Sequence, residues 1–130
     1  MIGRNTMRLL FVCVGNSCRS QMAEGIAKSM GHQADSAGTH PAQKIAENAE
    51  IVLNSRGIST EGMKPKSIDL FSPSEYDMVI SMGCGVHCPA IKIDQDWGLD
   101  DPVGHQLSVY EDTAAEIEKR IKSLVNHSSS

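Results

Sequence analysis

The chain has 130 residues, 40% of them apolar and 22% charged, with a net charge of −4 at pH 7. A single domain over residues 1–130 is expected, its ordered core spanning about 7–126, large enough to fold without disulfide staples. The negative balance gives no support for nucleic-acid binding, no apolar run is long enough to cross a membrane, and no small-residue cleavage site follows the run at Leu9.

With nothing to export the chain, the cytosol is the expected compartment, and the four cysteines should rest as thiols with catalytic or metal-binding roles. Leu9 to Val14 reads as a first strand, apolar at nearly every position and so buried on both faces. Ser20 to Met30 reads as a helix with Met22, Ile26 and Met30 on one face and Gly31 as its stop. Gln33 to Ala37 is a weak second strand. Pro41 opens a second helix, carried by Ile45, Ala49, Val52 and Leu53 and ended by Gly57. Met78 to Met82 is a third strand, and Ala90 to Ile93 a short fourth. Thr113 to Val125 is the last helix, burying Ile117, Ile121, Leu124 and Val125. Strands alternating with helices predict an α/β fold: a four-stranded parallel sheet in three layers, with helices on both faces. Ligands of such sheets bind beyond the carboxyl ends of the strands. Cys13, Cys84 and Asp101 follow three of the strands and should gather at that one edge.

The segment Cys13-Val14-Gly15-Asn16-Ser17-Cys18-Arg19-Ser20 carries the most chemistry. A cysteine at a strand end, a loop with Gly15 and Asn16, and an arginine opening a helix together suit an oxyanion. Backbone N–H groups of such a loop form a nest for it, and the guanidinium adds a rigid fork of donors. The same positive field favours the Cys13 thiolate, a nucleophile placed under the anion. Ser20 either hydrogen-bonds the Cys13 sulfur or is a plain polar residue of the first helical turn. Cys18 is expected to lend only a backbone N–H. The pattern is not a nucleotide P-loop, since G-x-x-x-x-G-K-[ST] is absent.

Asp101, held before Pro102, can protonate an oxygen expelled when the thiolate attacks. Gly83-Cys84-Gly85-Val86-His87-Cys88-Pro89 adds two more cysteines four residues apart. On a helix their Cβ atoms would lie about 5–6 Å apart, whereas a disulfide needs about 3.5–4.5 Å. The glycines and Pro89 predict a segment that moves to close the bond. A zinc site built from Cys13, Cys18, Cys84 and Cys88 is the competing reading, with spacings poor for it.

Cys13–Gln21, Gly83–Pro89 and Asp96–Pro102 resemble the thioredoxin-coupled arsenate reductases, which share the fold of the low-molecular-weight protein tyrosine phosphatases, and the similarity runs from about Arg8 to Val125. The resemblance implies arsenate held by Val14, Gly15, Asn16, Ser17, Cys18, Arg19 and Ser20, with the Cys13 thiolate attacking arsenic and Asp101 protonating the departing oxygen. It further implies that Cys84 attacks Cys13 to release arsenite and that Cys88 then takes over the disulfide. The implied partner is an external dithiol reductant, thioredoxin or similar, serving a monomer with no bound cofactor and no metal. Some relatives bind potassium through residues matching Asn16, Glu24 and Ser36. A further acidic ligand falls near Lys66 here, whose ammonium can replace the ion. The alternative on the same scaffold is a tyrosine phosphatase. It would need Cys13, Arg19 and Asp101 but neither Cys84 nor Cys88, and it would favour aromatic residues that only 4% of this chain supplies. A non-enzymatic thiol sensor would leave the Cys13–Arg19 loop without a purpose.

Overall fold

The computed structural model of the protein describes residues 6–83 and 92–129, with side chains through residue 124. In chain order it contains β1 (Arg8–Cys13), α1 (Arg19–Ser29), β2 (Gln33–Gly38), α2 (Glu47–Ser55), β3 (Met78–Ser81), β4 (Gln95–Asp96) and α3 (Leu107–Ser129). Two single turns of 3-10 helix, Ile68–Leu70 and Pro73–Glu75, lie between α2 and β3. The strands form one four-stranded sheet in the order β2-β1-β3-β4, and every pairing is parallel. β1 is therefore central, and Leu9, Leu10, Phe11 and Val12 are each 0% exposed. A strand covered on both faces cannot alternate polar and apolar residues, which is why this run is unbroken.

The two faces are covered differently. Leu9, Phe11 and Cys13 face the larger cluster, which takes Met22 and Ile26 from α1, Ala49, Val52 and Leu53 from α2, and Tyr110, Ala114, Ile117 and Ile121 from α3. Leu10 and Val12 face a smaller cluster with Ala37 and Val79, closed by Ile68, Phe71, Tyr76 and Ile93. The fold is the expected α/β parallel sheet, with one covering layer of three α-helices and an opposite one built around the short 3-10 turns.

Both glycine stops act as expected. Gly31 (φ 95°) and Gly57 (φ 78°) take the left-handed conformation past their helices, and His32 N–H and Ile58 N–H reach back to the Ala27 and Leu53 carbonyls. Three expectations need correction. Pro41 does not open α2, which begins at Glu47. The intervening backbone donates instead to the loop after β1, from His40 to Val14 O (2.8 Å), Ala42 to Gly15 O (2.9 Å) and Ala46 to Ser17 O (2.7 Å). The fourth strand lies at Gln95–Asp96 rather than 90–93: residues 90 and 91 fall outside the described residues, and Ile93 packs on the smaller cluster instead of pairing. Two aspartates at 94 and 96 hid this edge strand, because their β-propensity is low. Asp94 nonetheless earns its place by accepting Val79 N–H at 2.8 Å. Finally, α3 starts at Leu107, six residues before the predicted Thr113.

Candidate active site

Cys13 ends β1, and its sulfur is buried beneath the next five residues. The carbonyls of this loop are tied one after another from outside it. Cys13 O accepts Thr39 N–H (3.2 Å), Val14 O accepts His40 N–H, Gly15 O accepts Ala42 N–H, Asn16 O accepts the Gln21 side-chain amide (3.1 Å) and Ser17 O accepts Ala46 N–H. In a planar trans peptide the N–H points opposite to the C=O. Fixing five carbonyls outward therefore turns the N–H groups of residues 14–18 the other way, into a common nest. Asn16 N–H makes this concrete, donating to Cys13 Sγ at 3.1 Å. Gly38 permits the close packing behind the loop, since a Cβ there would lie 2.6 Å from Val14 O and 3.0 Å from Asn16 N.

Asn16 is the non-glycine residue found at positive φ (51°) among the described residues, and it is 0% exposed. Its Oδ1 accepts Lys66 N–H (2.8 Å) and a Gln21 Nε2 hydrogen (3.1 Å), which fixes the amide orientation. Its Nδ2 then donates to Ser20 Oγ at 2.7 Å. The Ser20 hydroxyl also lies 2.9 Å from Cys13 Sγ, where it donates to a thiolate or accepts from a thiol through its second lone pair. The Ser20 alternative that the sequence left open is thus settled by geometry: the hydroxyl lies against the sulfur.

Arg19, at the N-terminus of α1, is 7% exposed. Nη1 donates to Met82 O (3.0 Å) and Leu99 O (2.7 Å), spending both of its hydrogens on the chain after β3 and β4. Nε is buried with no hydrogen-bond partner in the structure. A buried guanidinium N–H left unpaired is costly, and an oxyanion in the nest is the partner its chemistry calls for. Asp101 reaches the same place: its Oδ1 accepts from the Cys18 thiol (3.4 Å) and from Val103 N–H (3.0 Å). Burial, with the Asp101 charge next in size, pushes the Cys18 thiol up to about 12, so it stays S–H and donates. Cys18 therefore does more than lend an N–H.

Behind the nest, the Glu24 carboxylate (5% exposed) accepts Ser36 Oγ at 2.6 Å and pairs with Lys28 Nζ at 2.7 Å. Lys66 Nζ lies 3.4 Å from Glu24 Oε1, so an ammonium stands beside this carboxylate.

The comparisons agree with the geometry. The family of low molecular weight phosphotyrosine protein phosphatases matches residues 8–129. The chain belongs to that family. A relative named glutaredoxin arsenate reductase, from Synechocystis, is 36% identical over 126 residues, 91% of this chain and 95% of that one. A solved arsenate reductase in the phosphate binding state superposes with TM-score 0.83 at 35% identity, covering 92% of this chain and 97% of that one. A low molecular weight protein tyrosine phosphatase from T. tengcongensis superposes with TM-score 0.75 at 33% identity, covering 94% and 99%.

The structure brings Cys13, the loop 14–18, Arg19, Ser20 and Asp101 to the carboxyl edge of the sheet. Cys84 and Cys88 lie outside the described residues, but Met82 and Gly83, which lead into them, lie at that edge too. The sequence reading missed Gly38, the contact of Gly83 with Arg19 and the support that Gln21 gives to Asn16. A glycine ending a strand and another just after one were the available signals.

Proposed function

We propose that this phosphatase-family chain is an arsenate reductase that turns over through Cys13, Cys84 and Cys88. The observation that carries the oxyanion chemistry is the nest itself: five outward-tied carbonyls, the Cys13 sulfur against the Asn16 N–H, and a buried Arg19 Nε without a partner. Two facts favour arsenate over a phosphotyrosine. The named relatives include arsenate reductases, and the aromatic side chains are committed elsewhere. Phe11, Trp97 and Tyr110 are buried, while Phe71 and Tyr76 pack on the smaller cluster on the other face of the sheet. Among the described residues no aromatic side chain is left exposed to grip a phenyl ring.

In the proposed cycle, Cys13 Sγ bonds to arsenic as an arsenic–oxygen bond breaks, and the oxygen leaves as water after taking a proton from Asp101. The Cys84 thiolate then attacks Cys13 Sγ. The sulfur–arsenic bond breaks with its electron pair passing to arsenic, so As(V) leaves as arsenite and a Cys13–Cys84 disulfide remains. Cys88 attacks Cys84, freeing Cys13, and a dithiol protein of the thioredoxin or glutaredoxin class reduces the final pair. The paired cysteines suit thioredoxin, while the Synechocystis relative's name points to glutaredoxin. The reading places the enzyme in the cytosol as a monomer with no bound cofactor. Among the described residues no helix is long and apolar enough to cross a membrane.

The test couples each donor to NADPH oxidation and supplies arsenate, then an aryl phosphate, to the wild type, Cys84→Ser and Cys88→Ser. Arsenate-dependent turnover lost in both variants supports the relay. Full steady-state turnover in both disproves it, and aryl phosphate hydrolysis without arsenate reduction returns the chain to the phosphatase reading.

A further inference from the structure

Gly83 sits at an unusual junction. Its φ is +128°, a conformation that residues with a side chain rarely adopt, and a Cβ there would lie 3.1 Å from Arg19 Nη1 and 3.2 Å from Leu99 O. Its own N–H donates to Ser81 Oγ at 3.0 Å, which holds the residue in place. On one side is Met82, whose carbonyl accepts both Arg19 Nη1 and Leu99 N–H (3.0 and 2.9 Å). One peptide bond beyond it in sequence is Cys84. The guanidinium thus has two different parts: Nη1 grips the backbone of Met82 and Leu99, and Nε is a buried donor without a partner.

We infer that Gly83 is a positioning residue, shaped so that the chain entering Cys84 can lie directly on the Arg19 guanidinium, and that oxyanion occupancy of the nest is thereby coupled to the backbone from which Cys84 departs. The guanidinium is planar and rigid. An anion that aligns Nε also sets the angle at which Nη1 meets Met82 O and Leu99 O. In reverse, displacing the backbone at Gly83 tilts the fork away from the anion. A methyl group at Gly83 would press on Nη1 from 3.1 Å, and the guanidinium would have to give by a few tenths of an ångström. The inference rests on the oxyanion reading of the nest and adds a link between the binding half of the site and the thiol half.

The probe is inorganic phosphate, measured by calorimetry on the full chain with its thiols reduced. Gly83→Ala is expected to weaken phosphate binding about tenfold, the loss that follows when one charge-assisted hydrogen bond is misaligned. Gly98→Ala, at a left-handed φ (+57°) with nothing within 4 Å of its added Cβ, is the control for replacing a positive-φ glycine without a neighbouring contact and should bind as the wild type does. A second readout needs no variant. In the wild type, the Gly83 amide and the Arg19 Nε–H should shift together in NMR spectra as phosphate is added, with one shared midpoint, while the Gly98 amide stays still. Equal phosphate affinity in Gly83→Ala, or a Gly83 amide indifferent to phosphate that moves Arg19 Nε–H, overturns the coupling alone. Failure of the wild type to bind phosphate at all overturns both the coupling and the oxyanion reading.

Discussion

Replacing Asn16 by aspartate changes one atom and should reverse a proton. In the native site Asn16 Nδ2 donates to Ser20 Oγ (2.7 Å), and when Cys13 is a thiolate, with no proton of its own to give, the Ser20 hydrogen is the donor to Sγ (2.9 Å). Aspartate keeps the Oδ1 acceptor for Lys66 N–H but puts a second acceptor opposite Ser20. The hydroxyl then turns to the carboxylate and away from the sulfur. Cys13 Sγ loses one of its two donors and keeps only Asn16 N–H at 3.1 Å. A hydrogen bond to a charged group contributes about 1.5–3 kcal/mol, equivalent to roughly 10- to 150-fold in rate where the thiolate is the nucleophile. The new carboxylate adds repulsion in the same direction. The assay is alkylation of Cys13 by iodoacetamide at pH 7, read by peptide mass spectrometry, beside turnover with arsenate. Both rates should fall by at least tenfold, while the backbone of the loop, including the left-handed Asn16, is kept. Wild-type alkylation of Cys13 in Asn16→Asp would refute the proposed direction of the Ser20 proton.

Other perturbations probe the scaffold. Gly38→Ala forces a methyl against Val14 O at 2.6 Å. Overpacking of this kind costs about 1–3 kcal/mol, and displacing the nest should lower kcat/KM for arsenate more than tenfold; Gly31→Ala, with nothing within 4 Å of its Cβ, should leave kcat/KM untouched. His32 gives a pH signature. Burial holds its imidazole below the ordinary 6.5, and Nδ1 accepts Met7 N–H at 3.0 Å, so the folded form prefers the neutral ring. The unfolded chain takes up the proton first as pH falls, hence this stability is whole above about 6.5 and is lost on acidification. His32→Asn keeps an acceptor in the same position and should flatten the fall in Tm between pH 7.5 and 5. Lys66→Met removes one of the two ammonium partners of Glu24 but leaves Lys28 at 2.7 Å. A loss of about 1 kcal/mol in urea unfolding is expected, well short of the cost of orphaning a buried charge.

What the sequence revealed was local. The run Leu9–Val12, the Cys-x5-Arg spacing and the glycine stops each depend on neighbours in the chain, and β1, the nest and α1 follow from them. Distant contacts stayed hidden. Arg19 meets Leu99 O across 80 residues, and Gly38 serves Val14 through a strand pairing that no periodicity announces. Pro41 and Ile45 carry true helical signals, yet the backbone around them is spent on the carbonyls of the nest. The aspartates flanking Gln95 have low strand propensity, and only the pairing with β3 makes this stretch an edge. In each case the sequence rule was sound and tertiary hydrogen bonding overrode it.

The stretch between Gly38 and Glu47 looks from outside like an ordinary connection, the kind of place where protein engineers graft epitopes or lengthen a linker. Four of its amides are the back wall of the nucleophile's chamber. One residue added there would shift the hydrogen bonds by a position and leave one or more carbonyls of the chamber unheld. The freedom usually granted to surface connections does not extend to this one, and any redesign of the molecule has to begin on the opposite rim.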